Sequence, residues 1–296
     1  GTAMSHMRPE NDDEIEASID ELIASAGPAR PHISHLKIVF GKGEARARAL
    51  LDFLAAKRRA GIDLTADAYP YNAGFTGIAI LFPEWALPPT DYATVLATRR
   101  AELRDYLEKR MIRRGGPEML LLGTGRHAGK TVAQAAQEAG LAFPDFLVQF
   151  GPNGGSGAHF TMDQVLQDVL LLDPMVAIST DGGPSMRHPR STGTYARLIE
   201  DYVVKARRIS IEEAVRKATS FPARILRIPD RGTIRPGTKA DLILFDPAKV
   251  RARSTYLDPF TRAQGFDLVM VNGQPAFEQG QRVARPGRLL RATPKG

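Results

Sequence analysis

The sequence predicts an α/β body with a β-rich appendage at its carboxyl end. Over most of the chain, short apolar segments alternate with longer stretches of helical period, the pattern of parallel strands joined by helices. From Gly232 onward that alternation gives way to closely spaced strands and turns. Size supports the same picture: 296 residues, 43% of them hydrophobic, can bury a large core in one large or two modest domains.

The elements follow in chain order. Asp12 to Ala26 reads as an amphipathic helix with Ile15, Ile19, Leu22 and Ile23 on one side, and Ala45 to Ala60 as a second, basic at its end and closed by Gly61. From about Ile80 to Ser156 runs a long segment rich in Pro and Gly, expected to be an insertion lying over a site. It holds a basic helix, Arg99 to Arg114, and another helix near Thr131 to Ala139. Ile211 to Leu226 reads as one helix opened by a capping box, Ser210 with Glu213. Beyond Gly232 come a turn at Pro236-Gly237, a strand over Asp241 to Phe245, and Leu268 to Val271 joined by Asn272-Gly273 to Pro275 to Phe277. Asn-Gly between apolar runs is a strong hairpin signal. The expected division is thus 1–231, with the insertion near 80–156, and 232–296.

Composition removes several function classes. No run approaches the roughly 18 to 20 apolar residues of a membrane span, and no basic-then-apolar leader opens the chain, so a cytoplasmic protein without membrane contact is expected. The net charge is +7, from 40 Lys and Arg against 33 Asp and Glu. The densest basic run interleaves Glu102, Asp105 and Glu108 at helical spacing and has few aromatics to stack on bases, which reads as a solvated helix face and not a nucleic-acid surface. With no cysteine, a metal must be held by His, Asp, Glu or a group foreign to this chain.

Three places share a local pattern of apolar strand, hydroxyl residue and metal-capable side chain: Ala3-Met4-Ser5-His6, His32-Ile33-Ser34-His35 and Val176-Ala177-Ile178-Ser179-Thr180-Asp181. At the carboxyl ends of parallel strands such side chains converge, and two imidazoles with a carboxylate suit Zn²⁺. Each signal has a plainer reading. A histidine at a strand end is often only hydrogen-bonded, Ser5-His6-Met7 also reads as a vector remnant, and Asp181-Gly182-Gly183 reads as a turn. Gly123 to Thr131 resembles a phosphate loop, but Thr124 stands where that loop needs glycine. His127 and His159 have no partner at useful spacing and read as structural or surface residues.

Taken in order, Ser5-His6-Met7-Arg8-Pro9-Glu10, Ile33-Ser34-His35-Leu36-Lys37, Asp67-Ala68-Tyr69-Pro70-Tyr71-Asn72-Ala73-Gly74, Ser179-Thr180-Asp181-Gly182, His188-Pro189-Arg190 with Gly193-Thr194, and Gly237 to Leu242 with Val271-Asn272-Gly273 resemble the N-acyl-D-amino-acid deacylases (D-aminoacylases) of the amidohydrolase superfamily. The likeness runs from about residue 3 to about residue 280, and it continues past Met7 into Arg8 and Glu10, as a native segment would. It implies the second half of a (β/α)8 TIM-like metallohydrolase barrel with a C-terminal β-sandwich segment. His6 would end the fifth barrel strand and His35 the sixth, both on a tightly held zinc. Asp181 would end the eighth, as proton shuttle and ligand of a weaker second metal, so one or two zinc ions are expected. Lys37, Tyr69 and Arg190, with His188 beside them, would bind the substrate.

Departures from the family pattern matter equally. The family's His-x-His pair, its metal-binding cysteine and the opening strands of its sandwich precede the fifth strand, and the chain contains none of them. A barrel divided between strands exposes two edges, so a second polypeptide carrying the N-terminal half is expected. Phe75 stands where the family commonly has serine in the substrate pocket. The expected activity is zinc-dependent hydrolysis of the amide of small N-acyl-D-amino acids. The alternatives are a related D-amino-acid amide, dipeptide or cyclic amide hydrolase, or a noncatalytic subunit of such an enzyme.

Overall fold

The computed structural model of the chain describes residues 1–290; the last six positions of the expected 232–296 segment lie outside the described residues. The body contains strands β1 (Thr2–Ser5), β2 (Arg30–Ile33), β3 (Thr65–Ala68), β4 (Gly74–Gly77), β5 (Leu120–Leu122), β6 (Ser156–His159) and β7 (Val176–Ile178). Four of them form one parallel sheet in the order β1-β2-β3-β7, with Ser5 beside Ile33 and Ala68 beside Ile178. The three hydroxyl-containing motifs therefore lie at the same edge of the sheet, just past the carboxyl ends of β1, β2 and β7.

Helices Ile15–Ala26, Gly43–Arg59 and Gln164–Leu172 supply the apolar cover of this sheet. Ile15, Ile19 and Leu22 recur at helical spacing and are buried with Leu50, Leu54, Leu166 and Leu170 against Ile33, Val176 and Ile178. Each such aliphatic side chain contributes roughly 2 to 3 kcal/mol on leaving water. The two sides of the sheet end differently. β1 is an open edge, with Met4 half exposed, whereas β7 at the other side is buried under Phe221 and Ile225 and its Val176 carbonyl accepts from the Lys217 ammonium.

The expected insertion is built on a second, antiparallel sheet in the order β4-β6-β5; β5 falls in the apolar run Met119 to Leu122, while the short glycine-containing β4 and β6 carry too little periodicity to be read from sequence. Helix Arg100–Arg113 buries Leu103, Leu107 and Met111 in a separate apolar cluster with Ile78, Val132, Phe146 and Leu147. Its basic face carries the ion pairs Arg99–Glu102 and Arg104–Glu108, as a solvated face should. In the phosphate-loop-like stretch, Lys130 pairs with Glu138, and Thr131 caps the short helix Val132–Glu138 reciprocally with Gln134. Gly123 has a packing reason of its own, because a Cβ there would come within 2.6 Å of the Phe75 ring.

One expected helix is two. Ile211–Ala218 and Ser220–Ile225 are separated at Thr219 (φ −132°, ψ −83°). Pro222 has no N–H for the Ala218 carbonyl, and its ring would collide with that carbonyl in a continuous helix. Ser210 accepts the Glu213 N–H as expected, but the Glu213 carboxylate turns to Arg216. A helix the sequence reading did not place, Arg190–Arg197, continues as a π-helical segment over Leu198–Lys205.

The appendage is a four-stranded antiparallel sheet of β8 (Leu242–Phe245), β9 (Phe266–Val271), β10 (Gln274–Glu278) and β11 (Gln281–Arg282) in the order β11-β10-β9-β8. Asn272 (φ 52°) and Gly273 (φ 78°) both take the left-handed conformation that a two-residue hairpin demands. Along edge strand β8, Ile243 and Leu244 are 55% and 59% exposed. Between β8 and helix Ile211–Ala218 lies an apolar groove of about 700 Å³ lined by Leu198, Val215, Ile234 and Phe245. Among the described residues no helix is long and apolar enough to cross a membrane.

Candidate functional site

His6 follows β1, and His35 follows β2 after a turn in which Ser34 donates its N–H to the Ser5 carbonyl at 3.0 Å. The parallel register thus brings together two imidazoles 29 residues apart, with His6 Nδ1 3.2 Å from His35 Nε2. Glu10 reaches the same point: its Oε1 lies 3.3 Å from His6 Nδ1, 3.4 Å from His35 Nδ1 and 2.6 Å from Lys37 Nζ. Lys37 Nζ also lies 2.7 Å from His35 Nδ1. Burial pushes Glu10 upward, but the hydrogen bond with His35 and the Lys37 ammonium outweigh it and hold the carboxyl below its ordinary range. Burial lowers the His6 value, with Glu10 opposing.

His6, Glu10 and His35 present ligand atoms all within 4.8 Å of one another, the one such group of three among the described residues. The donor set suits a borderline-soft divalent ion: imidazole nitrogens with a carboxylate oxygen. Asp181 does not join this group. It follows β7 in the left-handed conformation (φ 45°), close enough to influence His6, and its Oδ2 pairs with Arg190 Nη2 at 2.9 Å.

Arg190 opens its helix almost fully buried, with the guanidinium carbon 4.6 Å above the Tyr69 ring. Arg190 Nε and the Tyr69 hydroxyl are buried without a hydrogen-bond partner. Two uncommitted donors side by side are costly in a protein interior unless a ligand accepts from them. Both ring nitrogens of His188 are engaged within the chain: Nε2 donates to the Ala73 carbonyl and Nδ1 accepts the Arg190 N–H, both at 3.0 Å, and the ring packs edge to face with Tyr69 at 6.3 Å between centroids. Burial and the Arg190 charge push its imidazole down to about 3. Phe75 presents its ring edge to His188 with centroids 6.4 Å apart, and Lys37 sits with His35 and Glu10.

Sequence reasoning gave no role to Glu10, although it stands in the quoted motif four residues after His6, one turn's reach. It also passed over His32 and Asp67. His32 Nε2 lies 2.7 Å from Asp67 Oδ2, and the other Asp67 oxygen accepts the His35 N–H at 2.8 Å and the Ser179 hydroxyl. The signal was present, since Asp67 ends an apolar strand just before Tyr69.

The amidohydrolase family model matches residues 162–276. The chain is 30% identical to an N-acyl-D-glutamate deacylase of Alcaligenes xylosoxydans xylosoxydans over 97% of its own length and 54% of that protein. To the D-aminoacylase of the same organism it is 30% identical over 99% of its length and 55% of that protein. The crystal structure of N-acyl-D-glutamate deacylase from Bordetella bronchiseptica, complexed with zinc and a phosphonate inhibitor, superposes with a TM-score of 0.79 at 28% identity, covering 98% of this chain and 56% of that one. A D-aminoacylase crystal structure gives 0.76 at 26% identity, covering 96% and 54%. The chain spans about half the length of the curated relatives it matches.

Proposed function

We propose that this chain, similar along nearly its whole length to N-acyl-D-amino-acid deacylases of the amidohydrolase family, carries half of a zinc-dependent active site that hydrolyses the amide bond of N-acyl-D-amino acids. The observation that carries the reading is the meeting of His6 and His35 at 3.2 Å. Two nitrogens about 2.1 Å from one tetrahedral zinc stand roughly 3.4 Å apart, so little movement would let them share an ion. His6 and His35 would hold the tight ion, with Glu10 as a third ligand or as the acceptor that orients His35, and Asp181 a second, weaker ion.

Bound there, zinc supplies a nucleophilic water at neutral pH and polarises the acyl carbonyl. The remaining work falls to the chain. Asp181 takes the proton of the attacking water and returns it to the leaving amine. Arg190 Nε and the Tyr69 hydroxyl offer uncommitted donors to the substrate carboxylate, while Arg190 Nη2 stays with Asp181. A carboxylate fixed at that point leaves one enantiomer with its amide turned toward the histidines.

The open edge of β1 and the exposed Ile243 and Leu244 favour completion by further polypeptide. With it, residues 1–231 become the second half of a (β/α)8 barrel with 80–156 over its mouth, and 232–296 part of a β-sandwich. The deciding experiment is elemental analysis of protein purified without chelator from its native source, with identification of co-purifying polypeptide and assay of N-acetyl-D- against N-acetyl-L-amino acids. Zinc at one or two equivalents with D-selective amine release is expected. Metal-free protein without turnover would sink the reading.

A further inference from the structure

We infer that Asp67 is the positioning residue of this site: a single carboxylate that ties the His35 arm to the Asp181 arm and sets their relative placement. The inference rests on the proposed metal reading for its functional meaning, and on hydrogen bonds for its geometry. Asp67 lies on β3, between the strands that lead to the two arms. Its Oδ1 accepts the backbone N–H of His35 at 2.8 Å and the hydroxyl of Ser179, two residues before Asp181. Its Oδ2 is held by His32 Nε2 at 2.7 Å, and His32 Nδ1 is held in turn by Thr65 Oγ1 at 2.7 Å. The ring of contacts closes on three adjacent strands.

Backbone conformation shows what this carboxylate has to oppose. His35 and Asp181 both adopt left-handed φ values, 44° and 45°, which side-chain-bearing residues reach only at a cost. Such strain persists where the surroundings over-determine it. The Leu36 N–H bonds to the Asp67 carbonyl at 2.7 Å and the Ser179 N–H to the Ala68 carbonyl at 3.0 Å, so β3 grips both arms by main chain as well. Among the described residues, the Asp67 side chain is the one hydrogen-bonded to both at once. A carboxylate suits the task because it accepts three donors together, where a neutral amide must spend one side as a donor.

The test uses Asp67→Asn, which keeps the shape, and Asp67→Ala, which removes every contact. Hydrogen exchange of the metal-free protein, followed by mass spectrometry, is expected to accelerate roughly tenfold in segments 34–37 and 179–182 of the Asn variant and further in the Ala variant. Exchange in 242–245 should not change. Cobalt(II) titration, read by visible absorption and chelator competition, is expected to show affinity weakened about ten- to hundredfold with an altered band. Should the Ala variant fail to fold, the Asn variant decides. Unchanged exchange in both segments overturns the inference whatever the metal does. Accelerated exchange with cobalt affinity and band as in wild type overturns the functional part of it. Wild-type protein that takes up no cobalt overturns the metal reading instead, and leaves exchange to judge the positioning.

Discussion

Two buried histidines should make this fold labile to mild acid. His159 and His188 are 3% and 0% exposed, and burial beside Arg114 and Arg190 pushes their imidazoles from 6.5 down to about 3. The folded values lie below the unfolded ones, so between pH 3 and 6.5 the unfolded chain binds more protons, and stability rises with pH across that window. The contribution is fully present above 6.5 and is lost as the pH falls. From pH 7 to pH 5 each group costs about 2 kcal/mol, about 4 together, a large share of the roughly 5 to 15 kcal/mol that holds a domain. Urea unfolding at pH 7, 6 and 5 reads this directly, since most carboxylates titrate lower. His188→Gln and His159→Gln should each remove about half of the slope. A wild-type midpoint that stays flat from pH 7 to 5, or a double variant that retains the full slope, would refute the reasoning.

Three further outcomes are expected. Asp181→Asn abolishes turnover while leaving zinc at His6 and His35 largely bound, because its carboxylate stands outside their cluster; full activity would remove the proton-transfer role. Arg190→Lys lowers kcat/KM on N-acyl-D-amino acids by about a hundredfold, since an ammonium reproduces neither the fork nor the contact with the Tyr69 ring, and an unchanged value would place the substrate carboxylate elsewhere. In sedimentation experiments the chain by itself self-associates, and Ile243→Lys with Leu244→Lys reduces this. A stable wild-type monomer would remove the argument from open edges.

The sequence was informative where period and punctuation are local. Helices Ile15–Ala26 and Gly43–Arg59 and the Asn272-Gly273 hairpin lie close to where residue spacing puts them, because each is decided by neighbours along the chain. The strands β4 and β6 were not legible: Gly74–Gly77 and Ser156–His159 hold their shape by pairing across the insertion, and their glycines carry no pattern. Pro222 broke a helix that apolar spacing alone made continuous. At the site, His6, His35, Asp181, Tyr69 and Arg190 were all named from strand ends and family motifs. What spacing could not show was the partner of each. Glu10 and Asp67 are distant from His35 in sequence and touch it in space.

Those partners bear on Lys37. In the structure His35 Nδ1 lies 2.7 Å from the Lys37 ammonium and 3.4 Å from Glu10 Oε1, so the tautomer decides its partner: unprotonated it accepts from Lys37, protonated it donates to Glu10. Holding an ion together with His6 would ask for the second of these, with the hydrogen on Nδ1 and Nε2 free of it. That hydrogen needs an acceptor, and Glu10 Oε1, 3.4 Å away, is one, whereas Lys37 is not. On the proposed reading, Glu10 would then serve as the acceptor for His35 while keeping its ion pair with the Lys37 ammonium, which is 7% exposed, at 2.6 Å. An ammonium carries three donors and Glu10 takes one of them, so Lys37 keeps donors for the carboxylate of an N-acyl amino acid. The metal site proposed at the histidines and the carboxylate recognition expected of Lys37 thus meet in one hydrogen-bond network, with Glu10 in contact with both.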